Sequence, residues 1–179
     1  FIDQPDFDTI TFANEVQNRD LRLQQTIRMG NYKRSDGTVA PPDFTYTYTG
    51  YEPLKFTLDS KATDGIAKND NSIPIIRYAE VLLNYAEAMA ELGSTDQSFL
   101  DRSVNLLRSR VGMPALDLAA ANAGPDPYLQ DQDSVLWNSS NPNKGVLLEI
   151  RRERRIELVM ESFRWNDLMR WKEGALLSK

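Results

Sequence analysis

Residues 145–174, GVLLEIRRERRIELVMESFRWNDLMRWKEG, constrain the fold more than any other stretch of this chain. Projected at 3.6 residues per turn, Glu149, Glu153, Glu157 and Glu161 fall four apart and form one slowly drifting acidic stripe. Arg151 and Arg155 lie on roughly the opposite side, with Arg152 and Arg154 between them. Val146, Leu147, Ile150, Ile156, Val159 and Phe163 surround the axis instead of gathering on one face. A helix that is apolar all round belongs in an interior. Like charges at i,i+4 each cost a few tenths of a kcal/mol in isolation, so the stripe needs cations. Some lie within the helix, with Glu149 to Arg152 and Arg154 to Glu157 at i,i+3, and the rest must come from neighbouring helices. The expected result is a structural ion-pair network of Glu149, Arg152, Glu153, Arg154 and Glu157. Breaking a buried pair costs about 3–5 kcal/mol while making one gains little, so such a network specifies a packing more than it stabilises one. The chain then turns near Glu161-Ser162 into a second short helix whose apolar stripe is Trp165, Leu168 and Met169, with Trp171 beside it. Trp165 and Trp171 read as core, and Gly174 reads as the stop.

Composition sets the outer bounds. At 179 residues, 41% hydrophobic and 26% charged, the chain is long enough for one full core and ordinary for a globular protein. A net charge of −5 argues against the nucleic-acid backbone as a partner. No run approaches the ~18 apolar residues of a spanning helix. Cysteine and histidine are both absent, which removes disulfides, Cys/His zinc sites and the Ser-His-Asp triad. No cofactor is expected.

Residues 1–72 read as a loop-rich segment with short strands. Phe1, Ile2, Phe7, Ile10 and Phe12 lack a clean period, and a short helix is expected near Phe12–Asn18. Asp20 and Arg22 read as a structural pair. Turn chemistry is dense from Gly30-Asn31 to Asn69-Asp70-Asn71, and between the turns Phe44–Tyr51 and Leu54–Leu58 alternate with the period of strands. Residues 73–114 form a helical hairpin of tetratricopeptide size. Its first helix, Ile73 to Leu92, has the stripe Ile75, Ala79, Leu82, Ala86 and Met89, with Pro74 in the first turn, and Gly93 ends it. Ser94-Thr95-Asp96-Gln97 starts the second, whose stripe is Leu100, Val104, Leu107 and Val111. One hairpin cannot bury both its faces, so neighbours are expected on either side. Residues 115–144 read as a long loop with one helical turn near Ser134–Trp137, and 145–174 as the closing helices. The fold class is therefore mainly α, with tetratricopeptide-like hairpins, long irregular loops and a few short strands.

The chemistry left to this composition is aromatic. Sugar rings present C–H faces that stack on Tyr and Trp, with polar groups fixing the hydroxyls. Trp137, Tyr46, Tyr48 and Tyr128 are the candidate stacking residues, with Tyr32 and Tyr51 also outside the closing helices. The plain alternative is that Phe44, Tyr46 and Tyr48 form one strand row packed on a helical layer. Glu153 and Glu157 imitate a retaining glycosidase pair, but adjacent arginines would hold both ionised inside a helical layer, away from any cleft. No catalytic residue is expected. Asp131 with Asp133, and Asp64 with Asn69 and Asp70, do not complete a calcium loop, so no metal site is expected either.

Two stretches resemble a known family. ERRIELVMESFRWNDLMRWK is similar to the closing signature of the SusD/RagB family of surface glycan-binding lipoproteins. The matching residues are Arg151, Arg152, Glu153, Arg154, Glu157, Leu158, Glu161, Arg164, Trp165, Asp167, Leu168, Arg170 and Trp171; Ser162 stands where the family usually has glycine. Pro74 to Ala88, PIIRYAEVLLNYAEA, looks like the family's other signature, and Asp20-Leu21-Arg22-Leu23 like its D-P-R-L element with Leu21 for proline. The resemblance implies a single SusD-like domain of which residues 1–179 are the C-terminal part. It also implies a lipid anchor upstream, since a lipoprotein needs an N-terminal cysteine that this sequence lacks. The implied function is non-catalytic capture of oligosaccharide at the outer-membrane surface, passed to a SusC-like TonB-dependent transporter. A helical repeat adaptor that binds a protein partner remains the alternative.

Overall fold

A computed structural model describes residues 11–65, 68 and 70–178. The readings at Phe1, Ile2, Phe7, Ile10 and Asn69 lie outside the described residues. The chain divides into two compact units, residues 1–74 and 75–179. The fold is mainly α, with one two-stranded sheet among the described residues. Among the described residues, no helix is long and apolar enough to cross a membrane.

In the first unit, α1 (Phe12–Glu15) and α2 (Arg22–Thr26) precede β1 (Ile27–Arg28), which pairs antiparallel with β2 (Glu52–Pro53). The register sets Ile27 against Pro53 and Arg28 against Glu52. Thr11 caps α1 by accepting from Asn14 N–H. Phe12 is the wedge of this unit: a Cβ at Gly30 would lie 2.8 Å from the Phe12 Cβ, and one at Gly50 would lie 2.9 Å from its ring. Both glycines are also left-handed, at φ +52° and +80°, so geometry and space demand glycine together. Asp20 and Arg22 pair at 2.6 Å.

Neither of the two alternating runs is a strand. Pro41-Pro42 deliver the chain to Asp43, whose carboxylate accepts from Thr45 N–H at 2.8 Å. The Asp43 carbonyl accepts from Tyr46 and Thr47 N–H, which closes a turn where extension was expected. The Thr47 hydroxyl donates to the Tyr51 carbonyl at 2.9 Å and folds 47–51 into a loop. Local side-chain capture of backbone has overridden β propensity. Residues 54–58 likewise turn, with Phe56 at φ +67°.

The second unit is a helical assembly around one core. It comprises α3 (Tyr78–Glu91), α4 (Gln97–Asp101), α5 (Val104–Arg110), α6 (Leu118–Ala123), α7 (Pro127–Gln132), α8 (Ser134–Trp137), α9 (Lys144–Glu157) and α10 (Phe163–Arg170), closed by a 3₁₀ turn at Gly174–Ser178. Leu83, Ala86, Ala90, Leu100, Val104, Val146, Leu147 and Ile150 are fully buried at its centre. The first helix begins at Tyr78, with Arg77 as N-cap, so Pro74 precedes it and Ile75 is exposed. Its core stripe is Ala79, Leu82, Leu83, Ala86 and Ala90. The second helix of the hairpin keeps its stripe, but breaks at Arg102–Ser103 into α4 and α5. Asp96 caps α4 by accepting from Phe99 N–H.

Residues 115–144, expected to be one long loop with a single turn, hold three short helices. Asp117 and Asp126 cap α6 and α7 through side-chain bonds to Ala120 and Tyr128 N–H, and Pro127 opens α7. Pieces of 4–6 residues do not form helices alone in water. Leu129 and Leu136 hold α7 and α8 to the core, and α6 lies directly against α9. At that crossing, a Cβ on Gly145 would lie 2.2 Å from the Ala121 carbonyl oxygen. The next residue, Val146, donates its N–H to Asn122 Oδ1 at 2.9 Å, so α6 also caps α9.

The last turn of α10 is closed by Lys172 at φ +62°, with Glu173 N–H on the Leu168 carbonyl and Lys172 N–H on Met169; Gly174 is not its stop. Ser162 takes φ +66°, the left-handed geometry that a glycine supplies without strain. Trp171 is core, at 5% exposure, but Trp165 is surface, at 60%, because Arg154, Asp167 and Leu168 hold the opposite side of α10 to the interior.

Candidate functional site

The first unit contains a cleft of about 610 Å³ whose lining includes Arg28, Arg34, Tyr46, Glu52, Lys61 and Asp64. Strand pairing puts Arg28 beside Glu52, at 3.4 Å, and Arg28 also reaches Asp64 at 3.6 Å. Arg34 contacts Asp59 at 3.4 Å and makes a short contact with Asp64. The Glu52 carboxylate accepts from Asp43 N–H at 2.9 Å, which ties the floor of the cleft to the turn that carries Tyr46. Ser35 N–H bonds the Asp59 carboxylate and, with Arg34, holds it below the ordinary carboxylate range. Arg28 and Arg34 are both buried, yet the Nε of each has no hydrogen-bond partner among the described residues. A buried unmade bond costs about 1–3 kcal/mol, so each is a local cost of holding the guanidinium in place, and neither Nε is open to a ligand.

Of the four sequence-derived stacking candidates, two share this neighbourhood. Tyr46 lines the cleft with its side chain exposed, and Tyr48, on the same loop, is 98% exposed. Phe44 is exposed as well, so the three rings do not form a packed row. Tyr51 is a strut instead: its hydroxyl donates to Glu15 at 2.7 Å and its ring meets Phe12 edge-on at 5.2 Å. Burial and the Glu15 carboxylate push its phenol up to about 12. Tyr128 and Trp137 lie in the second unit, on α7 and α8. Tyr128 is exposed, whereas Trp137 is half-buried against the core with the Lys144 ammonium 4.2 Å from its ring centre. A face already holding a cation is poorly placed to stack a sugar. Sequence reasoning did not reach Arg28, Arg34 and Glu52; their pairings span up to 36 residues and leave no local signal.

The charges of the closing helices meet across the second unit. Glu153 pairs with Arg108 at 3.3 Å, and Glu157 takes Arg77 and Arg110 at 2.7 Å each. Arg154 donates to Asp167 at 2.8 Å and to Asn84 at 2.6 Å. Arg152 pairs with Glu149 and with Asp126 at 3.3 Å, and burial raises the Glu149 carboxyl against the pull of Arg152. Glu87 collects Arg170 at 2.6 Å and the Trp171 indole N–H at 2.5 Å. Glu153 and Glu157 are 2% and 4% exposed, so neither opens to a substrate. Among the described residues no three potential metal ligands come together; Asp64 and Asp133 are engaged by arginines.

Comparison with known proteins gives a consistent set of matches. The model of the SusD family matches residues 3–177. SusD-like protein P38 of Formosa agariphila is 30% identical over 148 residues, 83% of this chain and 25% of that protein. SusD-like protein P2 of the same organism is 35% identical over 111 residues, 62% of this chain and 19% of that protein. The chain thus spans about a quarter or less of the length of these relatives. No solved structure gives a significant match.

Proposed function

Because this chain belongs to the SusD family, we propose that it forms part of a protein that captures oligosaccharide without catalysis at the outer-membrane surface. The Arg28/Arg34 cleft with its Tyr46–Tyr48 loop is the place of capture. The observation that carries this reading is an exposed ring, Tyr46, lining the same cleft as the guanidiniums of Arg28 and Arg34 and the carboxylates of Glu52 and Asp64, with the exposed Tyr48 on the same loop. A ring face holds the C–H side of a sugar, and fixed planar donors and carboxylates select its hydroxyls. The family also implies a lipid anchor and delivery to a SusC-like TonB-dependent transporter. The ion-pair network of α9 is then scaffold: each carboxylate that could imitate a glycosidase acid is held by a guanidinium.

Affinity gels cast with candidate polysaccharides test this. The chain should be retarded, Tyr46→Ala and Tyr48→Ala should each lose most of the retardation, and no new reducing ends should appear. Retardation unchanged in both variants would remove the cleft from the reading.

One observation favours the adaptor reading. Tyr78, Val81 and Tyr85, at i, i+3 and i+7 on α3, leave an apolar helix face exposed. Binding to a protein partner with no retardation by any glycan would select that reading.

A further inference from the structure

A different site lies in the second unit, where two arginines that the closing-helix network does not use stand beside two that it does. Arg151, Arg152, Arg155 and Arg164 line a narrow cleft between α7, α9 and α10, together with the carboxylates of Asp133 and Glu173. Arg151 is held by Asp133 at 2.8 Å, and Arg152 by Glu149 and Asp126. Arg155 and Arg164 have no hydrogen bond or ion pair among the described residues, although both are half-buried. The carboxylates around them are already engaged. Asp133 accepts twice from Arg151, Glu173 accepts from Val135 N–H at 2.8 Å, and Asp167 accepts from Arg154 and Arg170. Burial and the neighbouring Arg155 both work against the charge on Arg164. Asp167, Asp133 and Glu173 offset this in part through space, but none of them makes an ion pair with Arg155 or Arg164, so two guanidinium forks line one cleft with no direct partner among the described residues.

We propose that this cleft binds a single oxyanion group, a carboxylate, sulfate or phosphate, held between Arg155 and Arg164. The cavity is about 30 Å³, room for one or two waters or the head of one oxyanion group, and far below the several hundred Å³ of a pocket for a drug-sized ligand. Guanidinium forks match oxyanion geometry with paired N–H donors. Trp171 closes one side, with the Arg164 guanidinium 5.7 Å from its ring centre, which limits competition by water.

Sodium sulfate is the probe, titrated into the ¹⁵N-labelled chain against sodium chloride at matched ionic strength, with the arginine Nε–Hε signals and the thermal midpoint read together. Saturable shifts with sulfate and not with chloride are expected. Affinity should fall at least tenfold in Arg155→Gln and in Arg164→Gln, and remain in Arg102→Gln. Because neither Arg155 nor Arg164 carries an ion pair, both variants should keep the native circular dichroism; if one does not, Arg155→Lys and Arg164→Lys, which retain charge but lose the fork, take its place with the same expected loss. Phosphate and acetate, run separately, show which oxyanion is preferred. Saturation by none of the three, or saturation unchanged in both variants, overturns the site.

Discussion

Ser162 sits at φ +66° between α9 and α10 where the family pattern has glycine. A side chain in that geometry costs on the order of 1 kcal/mol. Ser162→Gly should therefore raise stability by about 0.5–1 kcal/mol, less whatever the freer unfolded chain takes back. Urea unfolding measures this, and a loss of stability would mean that the bend is not strained. Glu153 makes the opposite case. It is 2% exposed and pairs with Arg108, itself buried. Glu153→Gln keeps the shape but strands the guanidinium, with an expected loss of about 3–5 kcal/mol. A loss below 1 kcal/mol would show that Arg108 finds another counter-charge.

At the scale of elements, the crossing of α6 and α9 is decided by one missing methyl. Gly145 stands where a Cβ would lie 2.2 Å from a backbone oxygen, and backbone cannot swing aside as a side chain does. Gly145→Ala should cost about 1–3 kcal/mol by forcing the helices apart. Asn122→Ala, which removes the side chain that caps α9, should cost about 1 kcal/mol. Both are read from denaturation midpoints, with a near-neutral Gly145→Ala refuting the close approach. These two residues also show what the sequence conceals. Gly145 read as the start of a helix, and nothing beside Asn122 announces that it caps a helix more than twenty residues away. The first helix of the hairpin was legible from its period, but its start was not. Ile73, Ile75 and Ile76 extend the apolar pattern beyond the point where Arg77 turns to Glu157 and Glu161. The Tyr46–Tyr48 loop was misread for a related reason: alternation measures propensity, and one aspartate with its own turn overrode it.

Across the second unit as a whole, the closing turn is expected to respond to pH. Glu173 is buried, and desolvation with the neighbouring Asp133 raises its carboxyl above the ordinary 4.5, only partly offset by the Val135 N–H and by Arg151. A group that holds its proton more tightly in the folded state than in the unfolded one loses stability as pH rises. The loss begins near 4.5 and is complete above the raised folded value. Glu173→Gln keeps an acceptor for Val135 N–H and removes the titration. Relative to the unmodified chain, the variant should gain in thermal midpoint from pH 4.5 toward pH 7. A difference that is flat with pH would mean that Glu173 holds its proton no more tightly in the folded chain than in the unfolded one.

The sequence by itself determined that this chain is mainly helical, that its first 72 residues are turn-rich, that an all-round apolar helix carrying an acidic stripe must lie inside, and which family shares that pattern. These are local or periodic properties, written into spacings of two to four residues. Tertiary structure alone decided which arginine meets which carboxylate, that three helices too short to stand alone fill 115–144, that Trp165 faces outward, and that Arg28 and Arg34 both reach Asp64 in the cleft that Tyr46 lines. Each of those depends on groups brought together across tens of residues, where backbone turns and packing, and no local period, set the distance.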